Sequence, residues 1–442
     1  MLIRWRGMLA GLTTRGRCLL AAVTTLVLGS LLLGQRDLLR VGVFLVALPL
    51  VAVGLVARTR YRLGCARSLD PARTEAGATC TVQLRLDNVS RLPSGVLLME
   101  DALPYALGGR PRFVLDRVEP RGVREVSYPV SSASRGRFVI GPLSVRLSDP
   151  FGLCELQRGF ASSAELIVTP EVWPLPAIQL GGAWAGGGDG ASRSIASSGS
   201  DDAATREYRH GDDLRRVHWK STARVGELMV RREEQPFRSR ATILLDARSG
   251  AHRGDGPGSS FEWAISAVAS IGVALTRAGF TLSVLRDSGE SLTPPGAVLT
   301  EGLLLEQLAT LSPASGQALD PAGERLRRDG LAGVLLAVLG ALDVPQAQRL
   351  ARLRTGSRVC VAVTMDTDSW APGSARTRAE ATARLAQVEA VLAGAGWRVV
   401  PVTHGTSLSS VWPMARGRTA RPLRSSPRPG ASPGRERVHD HP

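Results

Sequence analysis

Two uncharged apolar stretches come first, CLLAAVTTLVLGSLLLG at 18–34 and VGVFLVALPLVAVGLVA at 41–57. Only Gln35, Arg36, Asp37, Leu38, Leu39 and Arg40 separate them. Each is near the short end of the ~20 apolar residues that cross a ~30 Å hydrocarbon core. Backbone polar groups in lipid must bond within their own segment, so the pair predicts a transmembrane helical hairpin. From 62 to 175 the pattern changes to a period of two. TCTVQLRLDNVS (79–90) alternates Val82, Leu84 and Leu86 with polar neighbours, and 95–103, 112–120, 122–130 and 136–150 continue the series between turns. That spacing predicts an antiparallel β-sandwich. From 241 onward short apolar runs alternate with helical spacing. Strands are expected at 241–247, 280–287, 333–341, 357–366 and 397–403, and helices at 260–279, 344–354 and 377–396. Such alternation gives a parallel sheet with helices on both faces. The stretch 291–332 resists a reading.

The chain thus reads as an α+β multidomain protein in six parts. A basic flank (1–17) leads into the two spans (18–57) and the sandwich (62–175). A Gly/Ser-rich linker (177–200) joins these to a Rossmann-like α/β unit (201–412), and a basic tail (415–442) follows. The linker lacks the apolar surface to offset its ordering entropy, and the Pro- and Arg-rich tail reads as disordered.

Charge sharpens this picture. The net charge is +16, and almost all of the basic residues are arginine, Lys220 being the one lysine. Residues 1–17, 58–73 and 415–442 hold net charges of +4, +4 and +5. Basic charge beside apolar runs favours a membrane surface over nucleic acid, which requires it on a folded face. Four arginines precede the first span and five follow the second, so the positive-inside tendency places both ends in the cytoplasm. The five cysteines are widely spaced, with no CxxC, which argues against a disulfide framework or structural zinc.

The densest chemistry lies between linker and sheet, in TREYRHGDDLRRVHWKSTARVGELMVRREEQP (205–236), where arginines and carboxylates interleave closely enough to pair. Two readings stay open: a surface for docking or catalysis, or a clasp holding sandwich and sheet together. His210 and His218 flank Asp212, but a Ser221/His218/Asp212 triad would crowd three converging roles onto one short stretch. GGAWAGGGDG (181–190) lacks the Lys-Ser/Thr of a phosphate loop.

The string Arg206, Glu207, Tyr208, Gly211, Asp212, Arg215, Val217, Trp219, Ala223 and Arg224, with Lys220 beside it, resembles the signature of the bacterial "domain of unknown function 58" family. Asp149, Pro150, Phe151 and Gly152, followed by Leu153 and preceded by the Gly136-Arg137-Phe138 strand, resemble its second hallmark. The resemblance implies a von Willebrand A-like sheet domain, a MoxR-type AAA+ ATPase as partner, and association with membrane transglutaminase-like proteins. Modules of that type often hold Mg²⁺ through Asp-x-Ser-x-Ser after the first strand. Here Asp246 is present, but Arg248 and Gly250 stand where hydroxyls belong, and Asp366 is a second carboxylate at a later strand end. No resident cofactor is expected; Mg²⁺ is the cation that Asp246 and Asp366 would take.

The expectation is therefore a non-enzymatic, membrane-anchored cytoplasmic scaffold or adaptor that contacts the lipid bilayer and presents its α/β domain to partner proteins. Nucleic acid is not among those partners. The alternative is a metal-dependent enzyme or metal-gated adhesion module using Asp246.

Overall fold

A computed structural model describes residues 13–58, 63–91, 93–94, 96–148, 152–153, 155–177, 205–208, 217, 219–231, 240–293, 298–316, 318–329, 333–355 and 358–416. Residues 178–200 of the predicted linker and the tail beyond 416 lie outside these residues. Helix α1 runs Thr14–Leu33 and α2 Arg36–Arg58. The Thr13 hydroxyl accepts from Gly16 N at the start of α1, and Gly34, at φ 65°, ends it. Helix α1 is long and apolar enough to cross a bilayer. It packs against α2 with Val23 buried, and a Cβ on Gly42 would meet Val27 at 2.9 Å, so the two backbones approach closely there. Leu28, Leu31, Leu32, Leu33, Val43 and Phe44 face outward.

Ten strands follow: β1 (Leu63–Asp70), β2 (Arg73–Glu75), β3 (Thr79–Asn88), β4 (Leu97–Asp101), β5 (Arg112–Leu115), β6 (Val123–Ser131), β7 (Gly136–Ile140), β8 (Leu143–Ser148), β9 (Glu155–Phe160) and β10 (Ala164–Thr169). They form sheets ordered β1-β3-β6, β2-β10-β7 and β5-β4-β8-β9. One core joins all three, with Val82, Leu84 and Leu86 of β3 against Met99, Ile140, Val145 and Leu166. The expected alternation on β3 is therefore a true inward face. Pairing departs from a purely antiparallel sandwich at one place: β2 runs parallel to β10.

The sandwich hides a polar triad. Arg67 on β1 pairs with Asp101 at the end of β4 at 2.5 Å, and both side chains are essentially inaccessible. Tyr128 Oη donates to the other Asp101 oxygen at 2.5 Å. Burial beside that carboxylate drives the Tyr128 phenol far above its ordinary range.

Strands β11 (Thr205–Glu207) and β12 (Met229–Arg231) form a separate two-stranded ribbon around α3 (Trp219–Val225). The remaining chain alternates β13 (Arg240–Leu245), α4 (Ser260–Arg277), β14 (Thr281–Arg286), α5 (Glu301–Ala309), α6 (Asp320–Arg328), β15 (Val334–Leu339), α7 (Val344–Ala351), β16 (Cys360–Met365), α8 (Ala375–Gly394) and β17 (Arg398–Val402). The sheet is parallel throughout, ordered β14-β13-β15-β16-β17. Period-two alternation sends Ile243 and Leu245 into the core under α4 and Leu244 into the one under α6, α7 and α8. Every residue of β15 and β16 is buried, as a strand covered on both faces requires. Local caps set the helix starts: Ser259 for α4, and a capping box of Asp343 and Gln346 for α7. Helices α5 and α6 fill the stretch the sequence left unread.

The two folded units are joined through the β6–β7 turn and its neighbours. Arg135, in the β6–β7 turn, projects into the α/β unit with its side chain 6% exposed. Its Nε donates to Leu308 O at 2.9 Å and Nη2 to Leu311 O at 2.5 Å. Nη1 pairs with Glu262, and the guanidinium lies over the Phe261 ring. Arg73 and Arg137 both reach Glu306 on α5, at 3.1 and 3.3 Å. Beyond β10, Trp173 N donates to Ser270 Oγ of α4 at 2.9 Å, and the Trp173 ring begins a chain of aromatic contacts through Trp263 and Trp370 to His404.

Candidate functional site

The family-like segment builds a small unit of its own. Arg206 pairs with Val230 across the β11–β12 ribbon, and Val217 bridges to the same Val230, both valines being buried. Tyr208 N donates to Leu228 O at 2.8 Å, and Met229 N to Thr222 Oγ1 at 3.0 Å, which folds α3 back onto β12. None of these residues enters the three large apolar cores. Trp219, read from sequence as an anchor, is 70% exposed at the start of α3. Lys220, Ala223 and Arg224 are exposed on the same helix, as are Val225 and Leu228 just beyond, and Glu207 is exposed on β11. Gly211, Asp212 and Arg215 lie outside the described residues, as do His210 and His218 of the weighed acid–base groups.

Of the second hallmark, Asp149, Pro150 and Phe151 also lie outside the described residues. Its described end meets the start of α1. Thr13 Oγ1 donates to Gly152 O at 2.7 Å, and Thr13 N to Leu153 O at 3.0 Å. Gly152 sits at φ 65°, a left-handed geometry that only glycine adopts cheaply, and this turns both carbonyls toward the helix. The first apolar helix is thus capped by the sandwich.

A second site lies at the carboxyl edge of the parallel sheet. The strand order reverses between β13 and β15, the switch point where open α/β sheets form their crevice. Asp246 follows β13 and is fully buried. Its Oδ1 accepts from Arg248 N at 3.2 Å and Arg248 Nε at 2.8 Å. Its Oδ2 accepts from Arg248 Nη2 at 2.7 Å and from Gly340 N, just after β15, at 3.1 Å. Arg248 Nη2 also donates to Ala341 O at 3.1 Å. His252 Nε2 meets Asp246 O at 2.8 Å, and Nδ1 meets Ser260 Oγ at 3.2 Å. Burial lowers the His252 pKa.

The residues present do not fit a divalent ion here. Mg²⁺ requires near-octahedral oxygen donors. Both Asp246 oxygens instead face N–H groups, and a guanidinium lies within bonding distance of each. Gly250 supplies no hydroxyl. Asp366 follows β16, two strands from β13, so backbone spacing alone separates the two positions by about 9–10 Å. Among the described residues no group of three or more His, Cys, Asp and Glu is arranged to hold a metal.

The sequence reading missed Asp287, which follows β14 as Asp246 follows β13. It is 1% exposed, and its Oδ1 has no partner among the described residues. Burial, then the nearby Asp246 charge, raises its pKa, opposed by Arg286 and by backbone N–H groups of Ala247 and Asp287. The native carboxyl therefore holds its proton more tightly than the unfolded one. Its favourable contribution is complete below the unfolded value of 3.8 and is lost as pH rises through the folded pKa. Urea unfolding between about pH 4 and about pH 8 should show Asp287→Asn losing less stability than the wild type across that range. Parallel pH profiles would show that the carboxyl is ordinary.

Residues 204–390 match the family described as "Protein of unknown function DUF58". The uncharacterized protein YeaD of Bacillus subtilis strain 168 is 28% identical over 236 residues, covering 52% of this chain and 57% of YeaD. The chain thus spans a little over half the length of that relative. Among solved structures, the alkylpurine DNA glycosylase AlkC of Pseudomonas fluorescens aligns at 14% identity and TM-score 0.18, over 24% of this chain and 30% of that one. The putative ApaA protein of Bordetella pertussis aligns at 11% and 0.20, over 24% and 94%. Likenesses of this size carry no argument about fold or function.

Proposed function

We propose that this protein is a membrane-anchored scaffold whose α1 and α2 both span the bilayer and whose folded units face the cytoplasm. It would present the β11–α3–β12 unit and a von Willebrand A-like domain to a partner protein. The arrangement of the hairpin supports the anchor. Thr13 begins α1 against Gly152 and Leu153 of the sandwich, and α2 ends at Arg58 only a few residues before β1. Both ends thus return to one side, and the arginines cluster there. The doubly wound parallel sheet, with Asp246 after its first strand, supports the von Willebrand A-like reading.

The observation that carries the docking reading is Trp219, a large aromatic left 70% exposed on a helix that also presents Lys220, Arg224 and Val225. Tryptophan beside basic groups is the composition of an interface anchor. The reading has no catalytic step. The partner implied by the family resemblance is a MoxR-type AAA+ ATPase, with a membrane transglutaminase-like protein as a second associate; the surface calls for a face that is apolar at its centre and acidic at its rim. Capture from native membranes with the full-length chain tests this. Trp219→Ala is expected to weaken retention of a specific partner by about 30-fold, the effect of losing a hot spot of about 2 kcal/mol. Lys220→Glu should weaken it in the same direction. An identical partner set held with identical affinity by both variants would remove this surface from consideration.

A further inference from the structure

We infer that the guanidinium of Arg248 is a resident cation of the α/β domain, permanently occupying both carboxylate oxygens of Asp246, so that the crevice at the sheet's switch point is built to work without a metal ion.

The argument begins with lone pairs. A carboxylate offers about four acceptor positions. At Asp246 all four are taken, three by Arg248 through its backbone N, Nε and Nη2, and the fourth by Gly340 N. Nothing on that carboxylate is left to coordinate an incoming ion. The bidentate fork matches two donors to two oxygens, the geometry that makes arginine the preferred partner for a buried carboxylate.

The plug is also held from behind. Arg248 bridges to Ala314; Ser249 N donates to Ala314 O at 2.8 Å, and Ala314 N to Ala247 O at 2.6 Å. The loop bearing the arginine is thus stitched to the segment after α5, which fixes the backbone from which the fork reaches Asp246 and Ala341 O. Gly340 matters for a related reason. A Cβ there would meet Ala251 O at 2.5 Å, so only glycine lets the β15 end approach closely enough to donate to Asp246.

Charge points the same way. Asp246, Asp287 and Asp343 all act electrostatically on Arg248, and its pKa is raised despite burial. Asp246 and Asp287 are both fully buried at adjacent strand ends. A buried Asp246 carboxylate needs a cation. Here that cation is covalently part of the chain, and its charge does not depend on ion concentration.

Removing the guanidinium should therefore open a site for a divalent ion. The experiment uses the full-length protein in detergent micelles, titrated with Mn²⁺ or Mg²⁺. Free and bound Mn²⁺ are read by electron paramagnetic resonance, and stability is read by the thermal midpoint. The wild type is expected to leave the Mn²⁺ signal and its midpoint unchanged into the millimolar range. Arg248→Ser should unfold at a lower temperature without metal, bind about one Mn²⁺ per chain, and regain several degrees on saturation. Adding Asp246→Asn to that variant should abolish the gain. If Arg248→Ser does not fold alone, folding restored by Mn²⁺ supports the inference, and failure to restore it counts against it. Stoichiometric Mn²⁺ binding by the wild type that disappears in Asp246→Asn would overturn it. So would a folded Arg248→Ser chain that ignores the metal.

Discussion

Arg135→Ala is expected to destabilise the protein by about 3–5 kcal/mol, the usual result of stripping one partner from a buried ion pair. The loss has three parts. Glu262 is left without its cation, and the carbonyls of Leu308 and Leu311 lose their donors. The Phe261 face loses the guanidinium that covers it. Burial already pulls the Arg135 pKa down to about 10, yet the group remains charged at neutral pH, so the native state depends on these partners to hold a desolvated cation. Because this side chain crosses from the sandwich to the α/β unit, the variant should also lose cooperativity. Urea unfolding followed by tryptophan fluorescence, which reports mostly on the α/β unit, should separate from backbone signals that report on the sandwich. Arg135→Lys should fall between, since an ammonium cannot reach both carbonyls and the carboxylate in the same geometry. A loss below about 1 kcal/mol with one shared transition would show that the turn adds nothing to the junction.

Asp101→Asn should have an effect of similar size, about 3–5 kcal/mol, within the sandwich. The amide still accepts from Tyr128, so shape and one hydrogen bond survive. What disappears is the charge opposite Arg67, whose side chain is 1% exposed. Arg67 Nη1 donates to Ile140 O and Ser162 O, both at 2.6 Å, so the guanidinium has no route to water. Gly141 leaves the space it occupies, since any Cβ there would collide with it. The double replacement Arg67→Met with Asp101→Leu removes both charges together and should cost less than Asp101→Asn alone. Thermal unfolding of the three variants checks this. A double variant worse than the single would mean that the pair supplies net stability.

Particular residues show why some of this was legible in the sequence. Val82, Leu84 and Leu86 announced an inward strand face because a period of two has a single structural meaning. The runs at β15 and β16 announced buried parallel strands because they are apolar on both faces. Asp246 was legible as a strand-end acid, but the role of Arg248 was ambiguous: an arginine two residues from an aspartate is equally consistent with repelling a metal and with replacing it. Helices α5 and α6 went unread because each is only nine residues long and the segment is broken by Pro and Gly. Charge density drew attention to the arginine-rich 205–236 segment, but density does not say which arginine is buried. Arg135 has no distinctive neighbours in sequence and becomes a clasp only because the β6–β7 turn lies against α4 and α5.

By itself the sequence determined what depends on near neighbours along the chain: apolar helices at the start, strand faces, helix caps, and the family string around Trp219. Tertiary structure alone decided which charges share a dry space, because Arg67 with Asp101, Arg135 with Glu262 and Asp287 with Asp246 are separated by 34, 127 and 41 positions. Burial strengthens electrostatic interactions by removing water, and only the folded chain settles where water is removed.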